Sequence, residues 1–335
     1  LTHILYRYLG FPEMTWLLIH YILAGAGMYL LARSFGVRPS LSLVAGLVFM
    51  LMPNYVAAGA NGHGSQACAV AWMPFAVLFA RGVLGAGETP AGRTIGSAAM
   101  LAIVLGIQML RGHIQISYYT FLLIGLLFVF ETISLMREGK RKEALAGTGL
   151  LAASFVLALG ISAVLVFPVR DYAQWSIRGG SGGGLEYDYA TGWSLHPKEM
   201  LTFLMPWSYG FGKVTYWGSM PFTDYPNYLG LFVAVFSIIG AVAAKGRAKW
   251  FLLTAAVLST LIAFGKHLPV LYDPLFRFLP WFNKFRVPVM ILIVQQLALV
   301  SLAAIGAEEL MRRRDEGTLP AYLSAGRLKW VLIAV

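Results

Sequence analysis

Charge is scarce in this chain. Only 12% of its 335 residues are Asp, Glu, Lys or Arg, while 58% are hydrophobic. A water-soluble domain of this size carries roughly a quarter charged residues to coat its surface, so a soluble globular protein is excluded. The one cysteine, Cys68, lies in an apolar run, which leaves no intrachain disulfide and no redox pair. No HExxH, CxxC, P-loop or Ser-His-Asp pattern is present. His63, His113 and His196 lack the i, i+4 pairing of a metal site; no cofactor is evident, and the spacing lends no support to a divalent cation. The net charge of +11 does not point to nucleic acid, because no soluble basic domain exists to bind it.

What remains is hydrocarbon in lengths that suit a bilayer. Apolar runs separated by polar breaks predict nine spans, approximately 15–33, 40–59, 67–84, 95–110, 114–135, 145–168, 228–244, 249–265 and 288–308, with a tenth starting near Leu328. The fold class expected is all-α: a polytopic integral membrane protein, one transmembrane domain over 1–335, with a long loop at 169–227. The first residue is Leu1 rather than Met, and the closing run "LKWVLIAV" is too short to cross. Both ends are therefore expected to be truncated.

The loops alternate in charge. Those holding Arg33 and Arg38, Arg81 and Arg93, Arg137–Glu143, Lys245–Lys249, Arg312–Glu316, and Arg327 with Lys329 carry sixteen of the 26 basic residues. The positive-inside rule makes these loops cytoplasmic and the others outward-facing. Five of the six histidines (His3, His63, His113, His196 and His267) then fall outside, and only His20 falls in a span. The outer face is where the chemistry is expected.

Two apolar segments open on polar heads at that face: "NGHGSQ" with His63 and Gln66, and "RGHIQISYY" with Arg111, His113 and Gln115. The long loop adds the glycine-rich "RGGSGGG" (Arg178–Gly184), read either as a linker or as a lid. It also holds a predicted helix at Ser194–Pro206, capped by Ser194, with Met200, Leu201, Phe203 and Leu204 on the bilayer interface. Tyr189, Trp193 and Trp217 belong to a dense set of aromatics. Such a set fits an interfacial belt and fits sugar binding equally well, since ring faces cover the C–H face of a pyranose. His196, Glu199 and Asp224 join them as candidate contacts to hydroxyls. The last outer loop, 266–287, carries four basic residues on the side where the charge rule disfavours them. Snorkelling accounts for some; Lys266, Lys284 and above all Arg286 are candidates to clamp a lipid phosphate.

Taken in order, "NGHGSQ…AWMPF", "RGHIQISYY", "YATGWSLHPKEMLTFLMPWSYGFG", "YWGSMPFTDYPNYLG" and "FNKFRVPVMIL" resemble the bacterial YfhO-like membrane proteins over most of residues 1–310. The resemblance implies a GT-C class glycosyltransferase of the bacterial cytoplasmic membrane. Such an enzyme takes a sugar from a polyprenyl-phosphate donor and passes it, outside the membrane, to a cell-envelope polymer or lipid. It also implies a catalytic acidic residue in the first outer loop. Here that loop would precede Leu1, so the base is not assigned, and Glu13 does not match the pattern. Two other classes stand beside this one: a transporter or flippase of lipid-linked substrates, and a non-catalytic membrane assembly subunit. The first requires ionisable groups and broken helices at mid-membrane, where the sequence offers chiefly His20 and Gln295–Gln296.

Overall fold

The computed structural model describes residues 7–8, 10, 12, 14–85, 95–176 and 184–318. The expected site residue Arg178, the outer residues His3 and Glu13, and the expected tenth span lie outside these. The described chain is helical: α1 (Thr15–Ser34), α2 (Pro39–Leu51), α3 (Pro53–Ala60), α4 (Gly64–Leu84), α5 (Ile95–Leu110), α6 (Ile114–Arg137), α7 (Arg141–Ala173), α8 (Tyr187–Thr191), α9 (Leu231–Ala243), α10 (Arg247–Ala263), α11 (Pro269–Phe278) and α12 (Leu292–Asp315). A helix stands over each of the nine expected segments. Six segments are long and apolar enough to cross a membrane, counting α2 with α3 and the turn before α12 with α12, while α5 and α9 are shorter.

Several boundaries depart from expectation for local reasons. The run at 40–59 is interrupted at Met52, because Pro53 has no N–H to continue α2 and instead opens α3. The helix α7 runs 33 residues to Ala173, so the long loop starts later than position 169. The segment expected as a helix capped by Ser194 is a 3-10 helix at Pro197–Phe203, and its cap is His196, whose Nδ1 accepts from the Lys198 N–H at 3.2 Å. Ser194 is spent elsewhere: its hydroxyl donates to the Thr191 carbonyl at 2.7 Å and accepts from the Lys266 N–H at 3.3 Å.

Two helices form the centre. Over their most apolar stretch α4 is 72% and α12 78% buried, against 22% for α7. The outer surface of α7 presents Val156, Leu157, Val164 and Phe167, an apolar face that water would penalise and lipid tails accept. Around α4 pack α1, α5 and α6; around α12 pack α9, α10 and α2. At α9 and α12 the approach is close because Gly240 and Gly306 face the other helix's backbone, Gly240 against the Leu302 carbonyl and Gly306 against that of Phe236.

The two ends of the bundle differ in chemistry. One end gathers the described ion pairs, among them Arg38 with Glu308 and Asp315 (3.0 Å each), Arg247 with Glu138 (3.2 Å) and Glu131 (3.6 Å), and Arg312 and Arg313 with Glu309 (2.8 and 2.7 Å). The other end carries the long loop, which is stitched onto the segment before α12 and onto the end of α10. Leu185 N–H donates to Asn283 O (2.9 Å), Val287 N–H to Ala190 O (3.1 Å), Val289 N–H to Trp193 O (3.2 Å) and Leu195 N–H to Ala263 O (2.8 Å). These bonds meet backbone groups that would otherwise be buried unpaired, and they fix the loop over the helix ends.

Candidate functional site

At the loop-covered end a cavity of ≈ 440 Å³ opens among α3, α4, α6, the long loop and the turn before α12. Helix starts supply its first wall. His63 and Gln66 stand at the start of α4, and His113 and Gln115 at the start of α6. The chain needs Gly62 (φ +82°) and Gly112 (φ +77°) at the tight turns just before these histidines, and the turns present both heads to one space. Trp193, Asp224 and Arg286 complete the set of expected residues that converge here. Seven residues scattered over 224 positions of sequence thus line one cavity.

Arg286 is held in place without an ion pair among the described residues. Its Nη1 donates to Tyr189 Oη at 2.5 Å, and its guanidinium lies 5.3 Å from the Tyr189 ring and 5.7 Å from the Trp193 ring. Such cation–π contact with two aromatics orients the planar fork while leaving other N–H groups unused. The next residue, Val287, has φ +63°, an unfavourable backbone for a β-branched side chain. Hydrogen bonds on both sides enforce it: Val287 N–H to Ala190 O, and Gln115 Nε2 to Arg286 O at 2.6 Å.

His63 is paired through Nδ1 with Tyr225 Oη at 2.6 Å. Burial, with Asp224 beside it, pushes the Tyr225 phenol up from its ordinary value, so the hydroxyl keeps its proton. His113 Nδ1 accepts from the Ile116 N–H at 3.4 Å and caps α6. Asp224 shares the cavity with Arg286, yet no described ion pair joins the two. An acceptor carboxylate and a donor guanidinium therefore both face the space.

Sequence reasoning missed five polar lining residues: Asn54, Asn61, Thr223, Tyr225 and Asn227. Asn54 Nδ2 donates to Asn227 Oδ1 at 3.2 Å, fastening the loop to α3. An asparagine beside a proline inside an apolar run was the available signal for Asn54; Asn227 had none.

Other expected residues lie elsewhere. Glu199 is 2% exposed and accepts from Tyr216 Oη (2.6 Å) and the Ser219 N–H (2.9 Å). Its carboxylate folds the loop, and burial together with that hydrogen bond raises the Tyr216 phenol. Trp217 stacks on Tyr209 at 4.4 Å between centroids, on the exposed surface. His196 meets the His267 ring at 4.9 Å. Tyr189 reaches the cavity only through Arg286. Arg111, Lys266 and Lys284 do not line it; Lys266 is exposed, and Lys284 ends the 3-10 turn Phe282–Lys284. Among the described residues no group of three or more His, Cys, Asp or Glu is placed to hold a metal ion.

No family model, curated protein or solved structure matches this chain. The walls combine carboxamides, two histidines and a carboxylate, which bind hydroxyls, with the rings of Trp193, Phe222 and Tyr225, which cover apolar C–H faces. One guanidinium in the wall, that of Arg286, suits an anion.

Proposed function

We propose that the chain is the core of a GT-C-like glycosyltransferase of the bacterial cytoplasmic membrane, as its resemblance to the YfhO-like proteins implies. It takes a sugar from a polyprenyl-phosphate donor and attaches it to a cell-envelope polymer or lipid. In this reading the nine helical segments all span, the cavity faces outward, and the ion-paired end lies in the cytoplasm, as its density of arginine requires.

The single observation that carries the reading is the convergence of His63, Gln66, His113, Gln115, Trp193, Asp224 and Arg286 on one cavity. Arg286 receives the donor phosphate bidentately and stabilises it as the glycosidic C–O bond breaks. The carboxamides and Asp224 hold sugar hydroxyls against the Trp193 and Tyr225 rings. A lipid-phosphate sugar is already activated, so positioning and electrostatic stabilisation carry the reaction and no nucleotide fold is needed.

The test is sugar transfer from a polyprenyl-phosphate donor by purified protein. Arg286→Lys keeps the charge but loses the fork, so activity should fall more than tenfold, about 1.4 kcal/mol or more. Arg277→Lys, on the exposed end of α11, should change little. Equal activity in wild type and both variants removes Arg286 from the site.

A flippase reading draws on one specific feature. Gln296 is fully buried in α12 with neither amide atom hydrogen-bonded, and the α2–α3 span is broken at Met52. Movement of labelled polyprenyl phosphate across vesicles without sugar transfer would favour it.

A further inference from the structure

Among the described residues that line the cavity, Asp224 is the one carboxylate. Its neighbours are tied down on both sides. Trp193 Nε1 donates to the Phe222 carbonyl at 3.1 Å, and the Gly212 N–H to the Thr223 carbonyl at 2.8 Å. Tyr225 Oη and His63 Nδ1 lie 2.6 Å apart, and Asn227 Oδ1 accepts from Asn54 Nδ2 at 3.2 Å. These bonds fix the segment Phe222–Asn227 against α3, α4 and Trp193. The Asp224 carboxylate itself takes part in no hydrogen bond or ion pair among the described residues. The segment is held still and its charge is left open.

Trp193 links this charge to that of Arg286. Its indole N–H holds the carbonyl two residues before Asp224, and its ring lies 5.7 Å from the Arg286 guanidinium. Both charged groups line the one cavity, yet no described ion pair joins them. Lys213 does not neutralise Asp224 either: its ammonium lies over the Phe222 ring at 5.6 Å and forms no described ion pair. That contact shows instead that this aromatic wall accepts an ammonium. Gln66, 8% exposed, is a further lining residue with no hydrogen-bond partner among the described residues. The cavity is built for a polar ligand.

The charge count decides which kind. A phosphodiester carries a single negative charge, which Arg286 cancels. A neutral sugar on that phosphate displaces water from Asp224 and offers only hydroxyls. These hydrogen-bond the carboxylate but leave its charge unmet as water is excluded. A primary ammonium donates to the carboxylate, cancels its charge and gains from the rings of Phe222 and Tyr225 on either side. We propose that the cavity takes a phosphate ester bearing a primary ammonium, with the phosphate on Arg286 and the ammonium on Asp224. Resting on the transferase reading, this makes the transferred sugar an amino sugar. An ethanolamine phosphate headgroup carries the same chemistry.

Three probes decide it, titrated by calorimetry into the purified protein in a neutral polyether detergent: dodecyl phosphoglucose, dodecyl phosphoglucosamine and dodecyl phosphoethanolamine. The first two differ only in an ammonium for a hydroxyl. At least one ammonium probe should bind roughly tenfold or more tighter than phosphoglucose. Asp224→Asn keeps the shape and removes the charge, so it should abolish that preference. Its ligand-free melting temperature should not fall, because the carboxylate has no partner to lose. Arg286→Gln should weaken all three probes. Tighter binding of phosphoglucosamine than of phosphoethanolamine assigns an amino sugar; otherwise the ligand is the ethanolamine headgroup. The proposal is overturned if no probe binds, if all three bind equally, or if the preference survives Asp224→Asn. Binding indifferent to Arg286→Gln, or a lowered ligand-free melting temperature in Asp224→Asn, overturns it as well. Sugar transfer is measured separately. Ammonium preference without transfer removes the transferase reading and leaves this site, and transfer without the preference does the reverse.

Discussion

The side-chain amide of Gln115 donates to two groups at once, the main-chain carbonyl of Arg286 at 2.6 Å and Tyr119 Oη at 2.8 Å. The first turn of α6 thereby holds the turn that bears Val287 and aims Arg286 into the cavity. Gln115→Met keeps the volume and removes the donor. The Arg286 carbonyl is then left unmet, at a cost of about 1–3 kcal/mol. The expected result is a lower melting temperature and weaker donor binding together, read by thermal unfolding and by calorimetry on the same sample. Unchanged values in both would mean that the turn holds itself.

The contact between His196 and His267 should make the loop sensitive to acid. Burial, then the His196 and Lys266 charges, lower the His267 pKa from its ordinary 6.5, with Glu199 opposing. The unfolded chain therefore binds the proton more readily. Stability is intact above about pH 6.5 and declines as pH falls from there toward the folded value. The melting temperature should drop between about pH 7.5 and 5.5, and His267→Gln should flatten that drop.

At the α9–α12 crossing a side chain has nowhere to go. A Cβ at Gly306 would overlap the Phe236 carbonyl, whereas one at Gly149 on α7 would meet nothing within 4 Å. Gly306→Leu should destabilise by roughly 2 kcal/mol or more. Gly149→Ala should be neutral or stabilise by up to about 1 kcal/mol. Thermal stability in detergent compares them directly.

Orientation is open to labelling in intact cells. Cys68 is buried, so the native thiol is silent to an impermeant maleimide. Lys213 in the long loop and Lys142 at the ion-paired end are both exposed. A cysteine at 213 should label and one at 142 should not. The reverse pattern would place the cavity in the cytoplasm and exclude an outward-facing lipid-phosphate donor.

The helices were legible because a bilayer demands apolar stretches of a set length, and that demand is written residue by residue. The two polar heads were legible for the same reason, since His63 and His113 interrupt hydrocarbon. Where local chemistry competes, the sequence was ambiguous. Ser194 read as the helix cap, but its hydroxyl is taken by Thr191 and by Lys266, 72 positions away in the second case, and His196 caps instead. Glu199 read as a ligand for hydroxyls because its partners Tyr216 and Ser219 approach only when the loop folds back on itself.

By itself, then, the sequence determined that this chain is a bundle of apolar helices with one charged end and one polar end, since composition and hydrophobic length act locally and need no partner. Only the tertiary structure decided which polar residues share a space. It brought Asn54 to Asn227 and His63 to Tyr225, set Arg286 between Tyr189 and Trp193, and left Lys266 and Lys284 off the cavity walls. Those choices follow from how α3, α4 and α6 pack and from backbone hydrogen bonds between the long loop and the segment before α12. Such contacts join residues far apart in the chain, and no local pattern encodes them.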